Sequence, residues 1–427
     1  MRFVFWIGFV SLMIGCSSKA YVIKQLRVTE NKFSDHTGFV LFDPGQNKTL
    51  IAYNDQKYFT PASNTKIFTF YTSLKLLGDS AIAFKYKIIS DSLLVWGMGD
   101  PSFLNPDVFI NDRAFSFLKN KPQKLYVSQS HFQTTGLGEG WSWDDYPFGY
   151  SPERSAISMY GNLMAIQKNK SRKLIATPSF FQPYILEETA VHPTEEVTRD
   201  IDANTLRHYH GKKNRARWSV PIHFSSALIG SLLRDTLKRS VEVIEKPIPK
   251  DAQILRSVPL DSLLKVMMVE SDNHIAEQLL LQCAAVVSDT LQPEIAIRYA
   301  TKKLLADLPD APQWVDGSGL SRFNLFTPRS IVHVWNKIYN TIPSDRLFKL
   351  LAVGGKSGTI KNWYKADVPY IYAKTGTLSN NHCLSGFIKT KKGKTLIFSM
   401  MSNNYVASTS ELRKQMEAIL KSIYEKY

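Results

Sequence analysis

Apolar positions recur at helical spacing after Lys66: Ile67, Phe70, Leu74 and Leu77 fall near one face, and Gly78 follows as a stop signal. Helical patterns return at Ser225–Arg234, Leu260–Glu270 and Ile275–Leu281. Near the C-terminus Leu412, Met416, Ile419, Leu420 and Ile423 share one stripe of an amphipathic helix. Between about 84 and 220 the text changes to short β-rich runs with many aromatics, as in Lys85–Ile89, Leu93–Trp96 and Lys124–Val127. Gly38–Tyr53 reads as a hairpin turned by Asp43-Pro-Gly45. Val368–Ala373, Leu384–Ile388 and Leu396–Met400 read as three successive strands, the last two joined by a turn at Lys391–Lys394. Nothing periodic suggests repeats.

These runs divide the chain. Residues 84–220 read as an inserted, mostly β domain, and 20–83 with 221–427 as the domain it interrupts. An N-terminal hairpin, a central helical region and C-terminal strands closing one antiparallel sheet make that domain α+β.

Composition narrows the class. The 427 residues suffice for two or three domains, and 44% hydrophobic content supports a sizeable core and excludes disorder. The net charge of +16 comes from 53 basic and 37 acidic residues, yet no Arg/Lys cluster with interleaved aromatics marks a nucleic-acid module. A diffuse basic surface suits cell-wall carboxylates or lipid phosphates, or is simply solvated. Nine histidines show no metal-ligand spacing, so neither a metal nor a cofactor is expected.

The N-terminus predicts export. Arg2 precedes a mostly apolar run from Phe3 to Ile14, too short to span a membrane and suited to a signal peptide over residues 1–16. Met13-Ile-Gly-Cys16 resembles the lipobox of bacterial lipoproteins, which implies lipid on Cys16, a membrane anchor and a periplasm-facing protein of the bacterial envelope, on the outer membrane. Ordinary cleavage after the small residues of Ser17–Ala20 is the alternative. Cys283 and Cys383 lie too far apart in sequence to form a disulfide framework and read as buried thiols.

Three short motifs carry candidate chemistry. Ser63-Asn-Thr-Lys66 sits where a helix should begin, and residues three apart on a helix share a face, so a nucleophilic Oγ and a basic amine can touch. Ser63 would also lie at the positive helix end. Alone the pattern is weak, since Ser-x-x-Lys arises once or twice by chance in ~430 residues of average usage. Ser116–Lys119 and Ser262–Lys265 share it and read as surface pairs. Ser271-Asp272-Asn273 falls between two apolar helical runs, as a polar triplet facing a cleft or as a helix cap. Lys374-Thr375-Gly376 has a rival in Lys356-Ser-Gly-Thr359. The β-rich run before Lys374 makes it an edge-strand residue, whereas Gly354-Gly355 before Lys356 implies a loop.

In this order the three motifs match the set found in penicillin-binding proteins and class A β-lactamases. The chain resembles the low-molecular-mass class C penicillin-binding proteins, the D-alanyl-D-alanine carboxypeptidase/endopeptidase group. Gly97-Met-Gly-Asp-Pro101, Gly140–Asp145, Ser271–Glu277, Asp316–Ser321 and Lys374–Leu378 extend the resemblance over most of the chain. It implies a serine β-lactamase/transpeptidase-like domain, an antiparallel sheet flanked by helices and interrupted by the β insertion. It implies an acyl-enzyme on Ser63, Lys66 as base, Ser271 as proton relay and Lys374 as a second cation. Asn273 would hold the substrate peptide bond, while Thr375, Gly376 and Thr377 would bind substrate. Backbone N–H groups of Ser63 and Thr377 would form the oxyanion hole. Peptidoglycan stem peptides are the implied partners, and β-lactams the implied inhibitors. A β-lactamase of the same fold and a non-enzymatic cell-wall binding protein remain alternatives. Against the first, 274–350 lacks the Glu-x-x-Leu-Asn loop of class A enzymes; against the second, all three motifs are intact.

Overall fold

Helix α1 (Val4–Phe33) leads into the hairpin of β1 (His36–Asp43) and β2 (Lys48–Tyr53). The hairpin turn follows from Asp43, whose Oδ1 accepts from the backbone N–H of Gly45 at 3.0 Å and of Gln46 at 3.2 Å. A 3-10 turn over Ala62–Thr65 opens α2 (Lys66–Leu76). Then come β3 (Ser80–Ile89), β4 (Ser92–Gly97), α3 (Arg113–Asn120) and β5 (Lys124–Ser128). Six short strands follow: β6 (Leu163–Lys168), β7 (Leu174–Thr177), β8 (Ile185–Glu187), β9 (Val197–Arg199), β10 (Leu206–His208) and β11 (Arg217–Pro221). The chain continues through α4 (Ser226–Leu237), β12 (Val241–Ile244), β13 (Gln253–Pro259), α5 (Leu260–Val269), α6 (Asn273–Ser288) and α7 (Pro293–Tyr299). It ends with α8 (Pro328–Tyr339), α9 (Ser344–Lys349), β14 (Ala352–Val353), β15 (Ile371–Leu378), β16 (Asn381–Lys389), β17 (Thr395–Asn403) and α10 (Thr409–Lys426).

This computed structural model describes residues 4–427 apart from 109–111, 192–195 and 210–214, with side chains described from Ser18 onward. The Cys16 side chain, expected to carry lipid, lies outside the described residues. No helix among the described residues is long and apolar enough to cross a membrane.

The chain forms two units. The first gathers residues up to Tyr71, Met267–Ser271 and Lys302–Tyr427 around a six-stranded sheet, β14-β15-β16-β17-β1-β2. The N-terminal hairpin joins the C-terminal strands through the antiparallel β1–β17 pair, with Phe39 opposite Met400 and Leu41 opposite Phe398. Val22 and Leu26 of α1, and Leu412, Met416, Ile419, Leu420 and Ile423 of α10, are buried in one cluster with sheet residues Phe39, Leu384 and Phe398. Burying each of these side chains fully stabilises the unit by ~1.5–3 kcal/mol. The C-terminal stripe read from spacing is the buried face of α10.

The second unit holds Thr72–Val266 and Asp272–Thr301. It carries a five-stranded sheet, β12-β5-β4-β3-β13, and two three-stranded sheets, β11-β6-β7 and β8-β10-β9. The stretch 84–220, read from composition as an insertion, lies inside this unit together with chain on either side. Cross-strand pairing is the reason: β13 pairs antiparallel with β3, and β12 pairs parallel with β5. Its core includes Leu93, Val95 and Val127 from the sheet and Ile229, Leu232 and Leu233 from α4. Cys283 is buried in this unit and Cys383 in the first, both as free thiols.

Candidate active site

Ser63 lies within the 3-10 turn that precedes α2, not in the first α-helical turn as the sequence suggested. The tighter turn still serves the pair, because side chains three apart eclipse in a 3-10 helix. Lys66 is fully buried, and its Nζ donates to Ser63 Oγ at 2.9 Å and to the Ser318 carbonyl at 2.6 Å. Ala62, just before the serine, has a left-handed φ of 47°. Such a conformation persists for a non-glycine residue only where its surroundings over-determine it.

Those surroundings are the loop Asp316–Ser321. The buried Asp316 carboxylate accepts from the backbone N–H of Gly319 at 2.8 Å and of Ser321 at 2.7 Å, and from Asn324 Nδ2 at 2.8 Å. Gly319 has φ of +85°, and a Cβ there would sit 1.9 Å from the Ala62 carbonyl oxygen. Only glycine lets this loop close over the serine turn and aim the Ser318 carbonyl at Lys66.

The second lysine comes from the sheet. Strand β14 pairs with β15 at Tyr372 and Ala373, which leaves Lys374 onward at the sheet edge. Lys374 is fully buried, and its Nζ donates to Ser271 Oγ at 2.7 Å and to the Thr375 carbonyl at 2.6 Å. Burial, and then the charge of Lys66, push the Lys374 amine well below the ordinary lysine range. Two ammonium groups in one buried place disfavour each other, so one of them gives up its proton easily. Ser271 itself has φ of 64° in the link between α5 and α6. Its neighbour Asp272 caps α6 by accepting from the Ile275 N–H at 2.7 Å. The cap read from the sequence is formed by Asp272.

Gly376 carries strand β15 against the serine turn. A Cβ there would fall 2.4 Å from the Pro61 carbonyl oxygen and 2.9 Å from the Ser63 nitrogen. Thr375 Oγ1 donates to Thr359 Oγ1 at 2.7 Å, and Thr377 Oγ1 lies 2.8 Å from His382 Nδ1. Ser63, Lys66, Ser271, Lys374, Thr375, Gly376 and Thr377 thus belong to the first unit. Asn273 opens α6 in the second unit, where its Nδ2 donates to the Tyr150 carbonyl at 2.7 Å. Lys119, Lys265 and Lys356, from the three rival motifs, are exposed. Among the described residues no cluster of three His, Cys, Asp or Glu side chains could hold a metal ion.

The model of the D-Ala-D-Ala carboxypeptidase 3 (S13) family matches residues 25–423. The chain belongs to that family. It is a serine-type carboxypeptidase. The D-alanyl-D-alanine carboxypeptidase DacB of Haemophilus influenzae is 23% identical to it over 89% of this chain and 87% of the relative. The crystal structure of penicillin binding protein 4 from Haemophilus influenzae superposes with a TM-score of 0.74 at 21% identity, covering 94% of this chain and 99% of that one. The same protein complexed with a β-lactam superposes at 0.68 and 20% identity, over 93% and 98% of the two chains. The likeness in structure establishes the α+β fold.

In this carboxypeptidase several supporting residues escaped the sequence reading. Asn64, an unassigned position of the first motif, is fully buried and locks the serine turn to the sheet. Its Nδ2 donates to the Lys374 carbonyl at 3.1 Å, and its Oδ1 accepts from Ser385 Oγ at 2.6 Å. Ser385 in turn accepts from the Trp335 indole N–H at 2.9 Å. Nothing in the spacing distinguished Asn64. Asp316–Ser321 stood out by resemblance alone, and only its closure over Ala62 reveals its part. Thr359 belongs to the rival of the third motif, and His382 is a lone histidine in a strand.

Proposed function

We propose that Ser63 is the nucleophile with which this carboxypeptidase attacks the carbonyl of the penultimate D-alanine of peptidoglycan stem peptides. The observation that carries the reading is the 2.9 Å contact between Ser63 Oγ and a fully buried Lys66 Nζ. As the Oγ–carbon bond forms, the Ser63 proton passes to neutral Lys66 and the carbonyl becomes an oxyanion. Backbone N–H groups of Ser63 and Thr377 are proposed to hold that oxyanion. Gly376, by letting β15 approach Ser63, supports this placement.

Collapse breaks the peptide bond, and the leaving D-alanine amine takes a proton through Ser271. The 2.7 Å bond between Ser271 Oγ and Lys374 Nζ supports the relay. Burial and the Lys66 charge make the Lys374 amine lose its proton more easily than an ordinary lysine, which supports a proton passing between the two amines. Water then hydrolyses the ester and restores Ser63. Thr377 is proposed to bind the substrate's C-terminal carboxylate, with Thr375 beside it held by Thr359, and Asn273, two positions beyond Ser271 in the chain, to bind its peptide bond. A β-lactam would acylate the same Oγ by opening its ring amide.

Incubation with a labelled penicillin followed by peptide mapping should place the adduct in the peptide containing Thr60–Lys66. An adduct on Ser116 or Ser262, or none, would overturn the assignment. Export and lipidation at Cys16 complete the proposal, supported by the apolar run Phe3–Ile14 ending in Gly15-Cys16. Among the described residues, the α1 side chains in the core are Val22, Leu26 and Phe33, all beyond Cys16. Cys16→Ser should release the protein from membranes or leave it unprocessed; a variant still processed and still membrane-bound would refute the anchor.

A further inference from the structure

A buried histidine stands beside the last threonine of Lys374–Thr377. His382 lies directly opposite Thr377 in the β15–β16 register, and opposed residues of an antiparallel pair share a face. The ring is 1% exposed, while Thr377 is exposed. His382 Nδ1 and Thr377 Oγ1 are 2.8 Å apart. The other hydroxyl of the motif is engaged differently: Thr375 is buried, and its Oγ1 donates to Thr359.

Burial, and then the charges of Arg413 on α10 and Lys374 on β15, hold the His382 imidazole down to about 3. The ring is therefore neutral at any working pH and carries one N–H. Its two tautomers give Thr377 opposite abilities. With Nδ1 bare, the Thr377 hydroxyl hydrogen is spent on the ring. The threonine oxygen then only accepts, and so does a carboxylate, so the two have nothing to exchange. With Nδ1 protonated, the ring donates to Thr377 Oγ1 and the hydroxyl hydrogen turns outward.

We propose that His382 is a positioning residue for substrate: its Nδ1–H donates to Thr377 Oγ1 and commits the Thr377 hydroxyl hydrogen to the substrate's C-terminal carboxylate. The inference rests on the proposed role of Thr377 in holding that carboxylate. His382 touches neither the reacting carbonyl nor Ser63; it acts through the threonine. A carboxylate is selected over an ester or amide because the site offers it a hydrogen whose direction the ring has fixed.

The test compares acylation rates for a penicillin carrying its free carboxylate and for its methyl ester. In the parent the free acid should react faster. His382→Leu should shrink that preference about tenfold, mainly by slowing the free acid, as expected for losing one hydrogen bond to a charged group. His382→Asn presents an amide N–H near the position of Nδ1 and should restore most of the preference. Nitrogen NMR of the unmodified protein should show the proton on Nδ1. A proton on Nε2, or a preference untouched by His382→Leu, would overturn the inference, and the NMR result stands even if the leucine variant fails to fold. Thr377→Val separates the two levels. If it leaves the preference intact, the carboxylate-binding role of Thr377 fails; if it abolishes the preference while His382→Leu does not, only the role of His382 fails.

Discussion

Lys374-Thr-Gly-Thr377 and Lys356-Ser-Gly-Thr359 are nearly the same tetrapeptide, and they meet opposite fates. Lys374 lies in β15, fully buried, with Ser385 of β16 opposite it. Lys356 follows β14 in a turn, its backbone N–H donating to the Val353 carbonyl at 3.0 Å, and its side chain is exposed. The tetrapeptide does not decide this. The strand register around it does, because pairing with β16 fixes which way each residue of β15 points. The loop copy is not idle, however. Thr359 binds Thr375, and Gly358, at φ of +61°, packs so closely that a Cβ would meet the Val269 carbonyl oxygen at 2.4 Å. One copy supplies the buried lysine, and the other braces the strand that holds it.

That contrast can be broken or sharpened by substitution. The largest difference is expected for the two lysines. Lys374→Ala should weaken penicillin acylation by ~2–5 kcal/mol, the cost of removing a buried, hydrogen-bonded cation that would face the inhibitor's carboxylate. Lys356→Ala should change it by less than ~0.5 kcal/mol. Equal effects on acylation kinetics would erase the distinction. Gly358→Ala comes next. Left-handed backbone and a clash with Val269 should lower thermal stability by ~1–3 kcal/mol, and the shift should reach acylation because Val269 lies two residues before Ser271. An unchanged melting curve would show that the loop yields without consequence.

Thr359→Val removes the acceptor of the Thr375 hydroxyl and should cost ~1 kcal/mol in acylation with little loss of fold. No change in rate would mean that Thr375 needs no brace. The subtlest effect concerns protons. Burial and the Lys66 charge both depress Lys374, so Lys66→Ala should raise its pKa while burial keeps it below an ordinary lysine. The sign follows from the amine: a depressed pKa favours the neutral form in the fold, and this contribution to stability is lost as pH falls through the depressed value. In the variant that loss should be smaller and should be complete at a higher pH. Lysine-resolved NMR titration of parent and variant would measure it, and an unmoved Lys374 would mean that the two amines do not interact.

The motif serines and lysines were legible because each lies at a junction that hydrophobic pattern makes visible. Ile67, Phe70 and Leu74 announce the helix after Lys66, and Val368–Ala373 announces the strand before Lys374, which begins in the fold at Ile371. Thr375 and Thr377 came with the strand. The 3-10 turn at Ser63 was not legible, since an i,i+3 pair reads alike in either helix type. Asn64, Ser318 and Thr359 were invisible as supports because their partners are 252 to 321 residues distant for the first two and 16 for the third. His382 looked like any buried strand histidine until register set it opposite Thr377.

By itself the sequence determined the helices and strands with strong periodicity, the α+β class, the order of the three motifs and the stripe that α10 buries. These follow from local spacing, since side-chain period is a property of the backbone within a few residues. Tertiary structure alone decided which strands pair across the chain, and hence where the second unit begins and ends. It alone put two lysines close enough to depress one of them, closed Gly319 over Ala62, and set His382 beside Thr377. Those outcomes depend on sheet register and close packing between segments far apart in sequence, and no local pattern encodes a distance across the core.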